Sequence, residues 1–181
     1  GPDRTLEKTI INENSSLKGC LIFNRLSIID LSTSADQPMY SPHFKTTLLF
    51  NGEIYNHREL RKELEQEGLI FNTDHSDTEV VLLGLSYFGK KFIEKLIGQF
   101  SIVFYDEKND YLLLVIDRVA QKPLFYKISS NDIVFSSNLQ SLAKYCNESV
   151  SDESIFTYLN LGVVKSPNTL FKNIFKLKPA E

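Results

Sequence analysis

An α+β fold built on antiparallel sheets is predicted by two features of the chain: short apolar runs of strand character follow one another in adjacent pairs, and segments of helical periodicity are grouped between those pairs. The first run, Cys20-Leu21-Ile22-Phe23, resumes after Asn24-Arg25 as Leu26-Ser27-Ile28-Ile29, an extended apolar stretch with a charged residue inside it. The polar stretch Asn12 to Ser16 ahead of it reads as a surface turn, and residues 31 to 43, with Ser, Thr, Asp and two prolines, read as loop. Thr46 to Phe50 is the next strand. Asn56 then caps a helix from His57 to Gly68, with Leu60 and Leu64 one turn apart among charged neighbours and Gly68 at its end. A short strand, Leu69-Ile70-Phe71, leads to a capping box formed by Ser76 and Glu79 before the helix Val80 to Phe88, which leaves Asp77 at a helix entrance. A helix from Lys91 to Ile97 precedes the hairpin of Phe100 to Tyr105 and Tyr111 to Ile116 around the turn Glu107-Lys108-Asn109-Asp110. Strands at Leu124 to Lys127 and Ile133 to Ser136, and helices at Leu139 to Tyr145 and Glu153 to Leu161, complete the pattern.

The 181 residues fit one domain, and 42% hydrophobic with 24% charged residues is ordinary globular composition. A net charge of -3 and a pI near 5.7 argue against a nucleic-acid or anionic-membrane partner, and the lysines between Lys172 and Lys178 form too short a cluster to reverse that. No apolar run approaches the roughly 18 residues that span a bilayer, and Gly1-Pro2-Asp3-Arg4 is no secretory signal, so a cytoplasmic location is expected. Cys20 and Cys146 lack C-x-x-C spacing, and His43, His57 and His75 lie far apart. Neither a disulfide framework nor a metal site is indicated, and each thiol reads as buried or incidental.

Function enters at Asn51-Gly52-Glu53-Ile54-Tyr55-Asn56, where a polar cluster follows directly on the apolar run Thr47-Leu48-Leu49-Phe50. Glycine lets a ligand approach the backbone, asparagine offers an amide donor and acceptor, and glutamate can receive an ammonium group. Asn-Gly is also the commonest hairpin signal, so a β-turn competes with ligand recognition for these residues.

Taken in order, Arg25-Leu26-Ser27-Ile28-Ile29-Asp30, Gln37-Pro38, Asn51 to Asn56, Ser76-Asp77-Thr78-Glu79, Gly98-Gln99-Phe100 and Asp117-Arg118 to Lys122-Pro123-Leu124 make nearly the whole chain resemble the glutaminase domain of asparagine synthetases, a class II glutamine amidotransferase. The resemblance implies an Ntn-hydrolase fold, a four-layer sandwich of two antiparallel sheets flanked by helices, and release of ammonia from glutamine for an ATP-dependent synthetase domain that amidates aspartate. It implies that Arg25 grips the α-carboxylate of glutamine, a task that suits a planar guanidinium. Asp77 and Glu53 would receive the α-ammonium or neighbouring amide groups, and backbone around Leu26, Ser27, Ile28 and Ile29 would line the pocket. The Asn51 side-chain amide and the Gly52 N–H would form the oxyanion hole. Asp117, Arg118 and Lys122 read as structural, with Asp117-Arg118 as an ion pair after the hairpin.

The family's nucleophile is an amino-terminal cysteine whose own α-amine serves as base, whereas this sequence starts at Gly1-Pro2-Asp3, similar to the tail of the family's Arg-Gly-Pro-Asp motif. A single domain over residues 1 to 181, incomplete at its N-terminus, lacking its N-terminal strand and inactive alone, is therefore expected. No cofactor is expected within it. ATP and Mg would belong to a downstream synthetase domain, which with glutamine would be the partner. A sheet edge left without its neighbouring strand favours self-association, so either self-association, of which a homodimer is one form, or low stability is expected of the isolated chain. Ala120 stands where the family has glycine, and Asn138 and Gln140 where it usually has glutamate and lysine. These departures bear on contacts with a synthetase domain more than on the glutamine pocket, and leave open an amidotransferase acting on a sugar or another carboxylate; a non-catalytic module that senses glutamine or binds a partner is the separate alternative.

Overall fold

The computed structural model describes residues 4–12, 18–25 and 36–179, with Arg25 described in its backbone alone. The chain divides into two compact units, Gly1–Leu114 and Val115–Glu181. The first opens with β1 (Arg4–Ile11) and β2 (Lys18–Arg25), an antiparallel pair in register from Arg4 opposite Arg25 to Ile11 opposite Lys18. Sequence reasoning missed β1, because Glu7, Lys8 and Thr9 interrupt any apolar alternation and most of the strand is exposed. Asn12, expected in a surface turn, is buried: its amide donates to the Tyr105 hydroxyl and the Glu107 carbonyl, both at 3.0 Å. The rest of that predicted turn, and the predicted strand Leu26 to Ile29, lie outside the described residues.

The main sheet of this unit runs in the order β3 (Met39–Ser41), β4 (Thr46–Ile54), β5 (Gly98–Asp106), β6 (Tyr111–Ile116), the last strand ending beyond the unit boundary. β4 and β5 pair antiparallel over nine residues, from Thr46 opposite Asp106 to Ile54 opposite Gly98. Leu48, Phe50, Ile54, Ile102 and Phe104 are buried along this pair. The helices α1 (His57–Gln66) and α2 (Asp77–Phe88) pack on each other, and α2 packs on β4. α1 buries the predicted stripe, Leu60 at 2% and Leu64 at 0% exposure, each contributing about 1.5–3 kcal/mol of transfer free energy. At its end the Leu69 N–H reaches the Leu64 carbonyl and the Gly68 N–H the Glu65 carbonyl, the paired bonds of a Schellman stop, with Gly68 at φ +86°.

Three local expectations give way to tertiary contacts. Residues 69–71 are irregular, since the chain leaving α1 is held by its stop and by the Arg61 guanidinium over the Phe71 ring instead of by a neighbouring strand. The helix expected from Lys91 is a 3-10 turn, Gly89–Lys95, whose Phe92 ring stacks on Phe88. The capping box does not close: Ser76 makes no side-chain cap bond, and the buried Glu79 carboxylate accepts the Asn72 N–H at 2.8 Å, the Thr73 N–H at 2.7 Å and the Thr73 hydroxyl at 2.6 Å.

In the second unit β8 (Ile133–Ser136), β7 (Phe125–Ile128) and β9 (Phe175–Lys176) form a three-stranded antiparallel sheet. Helix α3 (Leu139–Tyr145) packs on β7 and β8, burying Leu142 and Ala143 with Ile174 against Phe125 and Val134. Asn138, one of the departures from the family pattern, caps α3 by accepting the Ser141 N–H at 2.8 Å. Helix α4 (Asp152–Leu161) has a Ser151 cap. The buried Asp117 carboxylate accepts the backbone N–H groups of Val119 and Gln121, both at 3.0 Å, which gives it a structural role as expected, though as the organiser of a turn. Within that turn Ala120 has φ +56°, in the left-handed region that glycine enters freely.

Ala120→Gly is therefore expected to raise stability by about 0.5–1 kcal/mol, the relief of left-handed strain exceeding the entropy cost of glycine. Urea unfolding of the two proteins measures this, and a destabilised variant would refute the strain argument.

Candidate functional site

The exposure of β4 changes abruptly along its length. Thr46 through Phe50 are buried, Asn51 and Glu53 are exposed, and Ile54 is buried again. Since side chains alternate in a strand, Asn51 and Glu53 share a face with Thr47 and Leu49, and that face opens between residues 49 and 51. The turn reading of Asn51-Gly52 fails on the same evidence: Asn51 pairs with Ser101, Gly52 with Phe100 and Glu53 with Gln99, all inside the ladder. Gly52 is required there because β5 comes close. A Cβ on it would collide with the Gln99 carbonyl oxygen and lie 2.6 Å from the Phe100 Cα.

Asp77 reaches this segment from the entrance of α2. Its Oδ2 accepts the Ile54 N–H at 3.1 Å, and only 5% of the residue is exposed. Burial pushes its carboxyl above the ordinary value of 3.8, and the nearby Glu53 charge acts in the same direction. The Ile54 and Thr78 N–H groups and the neighbouring His57 oppose the shift. His57, the first residue of α1, places its Nδ1 2.8 Å from the Ile54 carbonyl oxygen. Asn56, expected to cap α1 with its side chain, makes no such bond. Its amide instead donates to the Lys95 carbonyl at 2.9 Å and accepts the Ile97 N–H at 3.0 Å, tying the end of β4 to the approach of β5.

Four of the predicted site residues, Asn51, Gly52, Glu53 and Asp77, are thus brought together at one end of the main sheet. Arg25 closes β2 opposite Arg4, its side chain outside the described residues, as are Leu26, Ser27, Ile28 and Ile29. Two further residues hold the segment without having been assigned there: His57, and Gln37, whose amide bonds both polar groups of the Phe50 backbone. Gln37-Pro38 was visible as a motif, but its sequence distance from Asn51 hid the contact. Cys20, read as a buried or incidental thiol, is exposed on β2, and Cys146 is half-buried at the end of α3. Among the described residues no group of three or more His, Cys, Asp or Glu could hold a metal ion, and no helix is long and apolar enough to cross a membrane.

Chemically, two carboxylates close enough for one to perturb the other favour a cation between them, and an exposed amide beside a glycine N–H offers two donors to an oxygen that gains charge. A family profile described as glutamine amidotransferase domain matches residues 1–181. The chain is 37% identical over 159 residues to glutamine-hydrolysing asparagine synthetase 1 of Bacillus subtilis (strain 168), covering 87% of this chain and 25% of that protein. It is 28% identical over 202 residues to putative glutamine-hydrolysing asparagine synthetase 2 of Methanocaldococcus jannaschii, covering 96% of this chain and 38% of that protein. It therefore spans well under half the length of these relatives. Among solved structures it resembles glutamine phosphoribosylpyrophosphate amidotransferase from B. subtilis, with a TM-score of 0.55 and 22% identity over 67% of this chain and 28% of that one, a likeness of fold. The expected α+β amidotransferase fold is thereby shown.

Asp77→Asn keeps an acceptor for the Ile54 N–H while removing the charge that burial penalises. Because the folded carboxyl titrates above the unfolded one, its stabilising contribution is present below pH 3.8 and is lost as the pH rises through the raised folded value. The variant is expected to be more stable than wild type at neutral pH, with the gap closing as the pH falls toward 3.8. Urea unfolding across that range tests it, and a gap independent of pH would count against a raised Asp77.

Proposed function

The chain belongs to the glutamine amidotransferase domain family, and from that premise we propose that it is the glutaminase part of an asparagine-synthetase-like enzyme, which hydrolyses glutamine to supply ammonia. The observation that carries this reading is the pairing of an exposed Asn51-Gly52-Glu53 segment with the buried Asp77 carboxylate anchored on Ile54. Glutamine has two charges and one reacting amide, and the segment supplies a counterpart for two of these three. Asp77 and Glu53 hold the α-ammonium, whose arrival relieves the repulsion between them. The same reading assigns the α-carboxylate to Arg25 and the pocket lining to Leu26, Ser27, Ile28 and Ile29, whose side chains lie outside the described residues.

In this reading an amino-terminal cysteine, the nucleophile of the family, attacks the side-chain amide carbon. The carbonyl oxygen becomes an oxyanion held by the Asn51 amide and the Gly52 N–H, ammonia leaves with a proton relayed from the thiol, and water then cleaves the thioester to give glutamate and regenerate the thiol. Aspartate is the proposed acceptor in a synthetase domain that binds ATP and Mg, and none of the residues assigned above is needed to hold them. The location proposed for the whole protein is cytoplasmic.

In the full-length protein, Asn51→Ala is expected to lower kcat for glutamine hydrolysis about 100- to 1000-fold, the usual effect of removing one oxyanion donor. Residues 1–181 alone are expected to release no glutamate. Release of glutamate by residues 1–181 would place the nucleophile within them, and glutamine binding without turnover by the full-length protein would favour a sensing module instead.

A further inference from the structure

Gln37 has no part in the chemistry just described, yet it holds the backbone from which Asn51 projects. Its Nε2 donates to the Phe50 carbonyl oxygen at 3.0 Å and its Oε1 accepts the Phe50 N–H at 2.6 Å, with 6% of the residue exposed. The two contacts fix the orientation of the amide, since a backbone N–H can only donate and a carbonyl only accept. β3 sets Met39 opposite Leu48, and extending that register by two residues puts Gln37 opposite Phe50. At this position the ladder is continued by a side chain instead of the main chain.

The consequence falls on Asn51. The Phe50 carbonyl and the Asn51 N–H belong to one peptide plane, so the bond from Gln37 Nε2 sets the plane from which the Asn51 side chain departs. At the other end of the segment the Ile54 N–H is held by Asp77 and the Ile54 carbonyl by His57. Residues 51–53 are thus strung between two residues whose amide and carbonyl groups are both fixed by side chains. An oxyanion hole depends on donors placed before the charge develops, and a displacement of about 1 Å can cost roughly 100-fold in rate.

We propose that Gln37 is a positioning residue for the oxyanion donors Asn51 and Gly52: it acts on the transition state through the Phe50 backbone and leaves the binding of glutamine's charged end untouched. The inference rests on the glutaminase reading above.

The test uses the full-length protein and two variants, Gln37→Leu, which removes both bonds, and Gln37→Glu, which keeps the acceptor for the Phe50 N–H. For each, kcat and KM for glutamine hydrolysis are measured well below the melting temperature, together with inhibition by glutamate and by the aldehyde analogue of glutamine, whose thiol adduct carries its oxygen where the oxyanion forms. The expected result is a 10- to 100-fold lower kcat for Gln37→Leu, a smaller loss for Gln37→Glu, KM within about threefold of wild type, weaker aldehyde inhibition and unchanged glutamate inhibition. Unchanged kcat in a folded variant overturns the proposal, as does equal weakening of glutamate and aldehyde inhibition, which marks general loosening of the site. Should Gln37→Leu not fold, Gln37→Glu decides by the same criteria. If wild type itself fails to hydrolyse glutamine, the glutaminase reading falls, which is a different outcome from wild-type turnover that is indifferent to Gln37.

Discussion

The pairing of β4 with β5 is the constraint on which the rest of the first unit depends. Nine consecutive register pairs fix the height of every side chain on β4, and a one-residue slip would exchange the buried and open faces. The lower half of the strand secures this register by burial, with Leu48 at 0% and Phe50 at 3% exposure, while Ile102 and Phe104 do the same on β5. Gly52 secures it differently. Any side chain there would meet the Gln99 carbonyl, so the residue that brings a backbone N–H to the site is also the one that permits the strands to close. In the proposed reading, recognition and strand pairing make the same demand on this position.

The electrostatics of the segment follow from that placement. A carboxylate taken out of water and set beside another negative charge is costly, and Asp77 is in that position, with its carboxyl raised by burial and by Glu53. Backbone N–H groups of Ile54 and Thr78 soften the penalty without removing it. An arrangement that sets two carboxylates near each other, with His57 the opposing charge on Asp77 among the described residues, is poor for stability and good for capturing a cation. The same balance explains why an acid at the start of α2 does more than complement the helix dipole.

Much of this was legible in the sequence. The Leu60 and Leu64 spacing gave α1, and the apolar runs around Glu107 to Asp110 gave β5 and β6, because in each case the burial that stabilises the element is written in its own periodicity. The Asn51 cluster stood out because a polar run broke off an apolar one, although the strand itself continues through it to Ile54. Other elements were illegible for a physical reason. β1 is stabilised by main-chain pairing with β2 more than by burial, so it carries no apolar alternation. The thiol of Cys20 lies in an apolar run and is nonetheless exposed, since a two-stranded pair cannot cover both of its faces. The Gln37 contact depends on register between β3 and β4, which no local pattern encodes.

The misread capping box is the most instructive of these. Ser76-Asp77-Thr78-Glu79 has the composition of a helix start, and α2 does start there. A carboxylate at the third helical position can serve its own helix cap or the amides of a preceding loop, and the choice is set by which set of N–H groups would otherwise be buried unsatisfied. Here the buried Thr73 offers such groups, and Glu79 goes to them and to the adjoining Asn72 N–H. Asp77 likewise reaches across to Ile54. The entrance of α2 therefore works outward: one carboxylate fixes the loop before the helix and the other fixes the end of β4, so that the helix holds both in place. A motif that looks like local helix chemistry is in this chain a tertiary fastening, and through Ile54 it ties Asp77 to the end of β4 that carries the Asn51 segment.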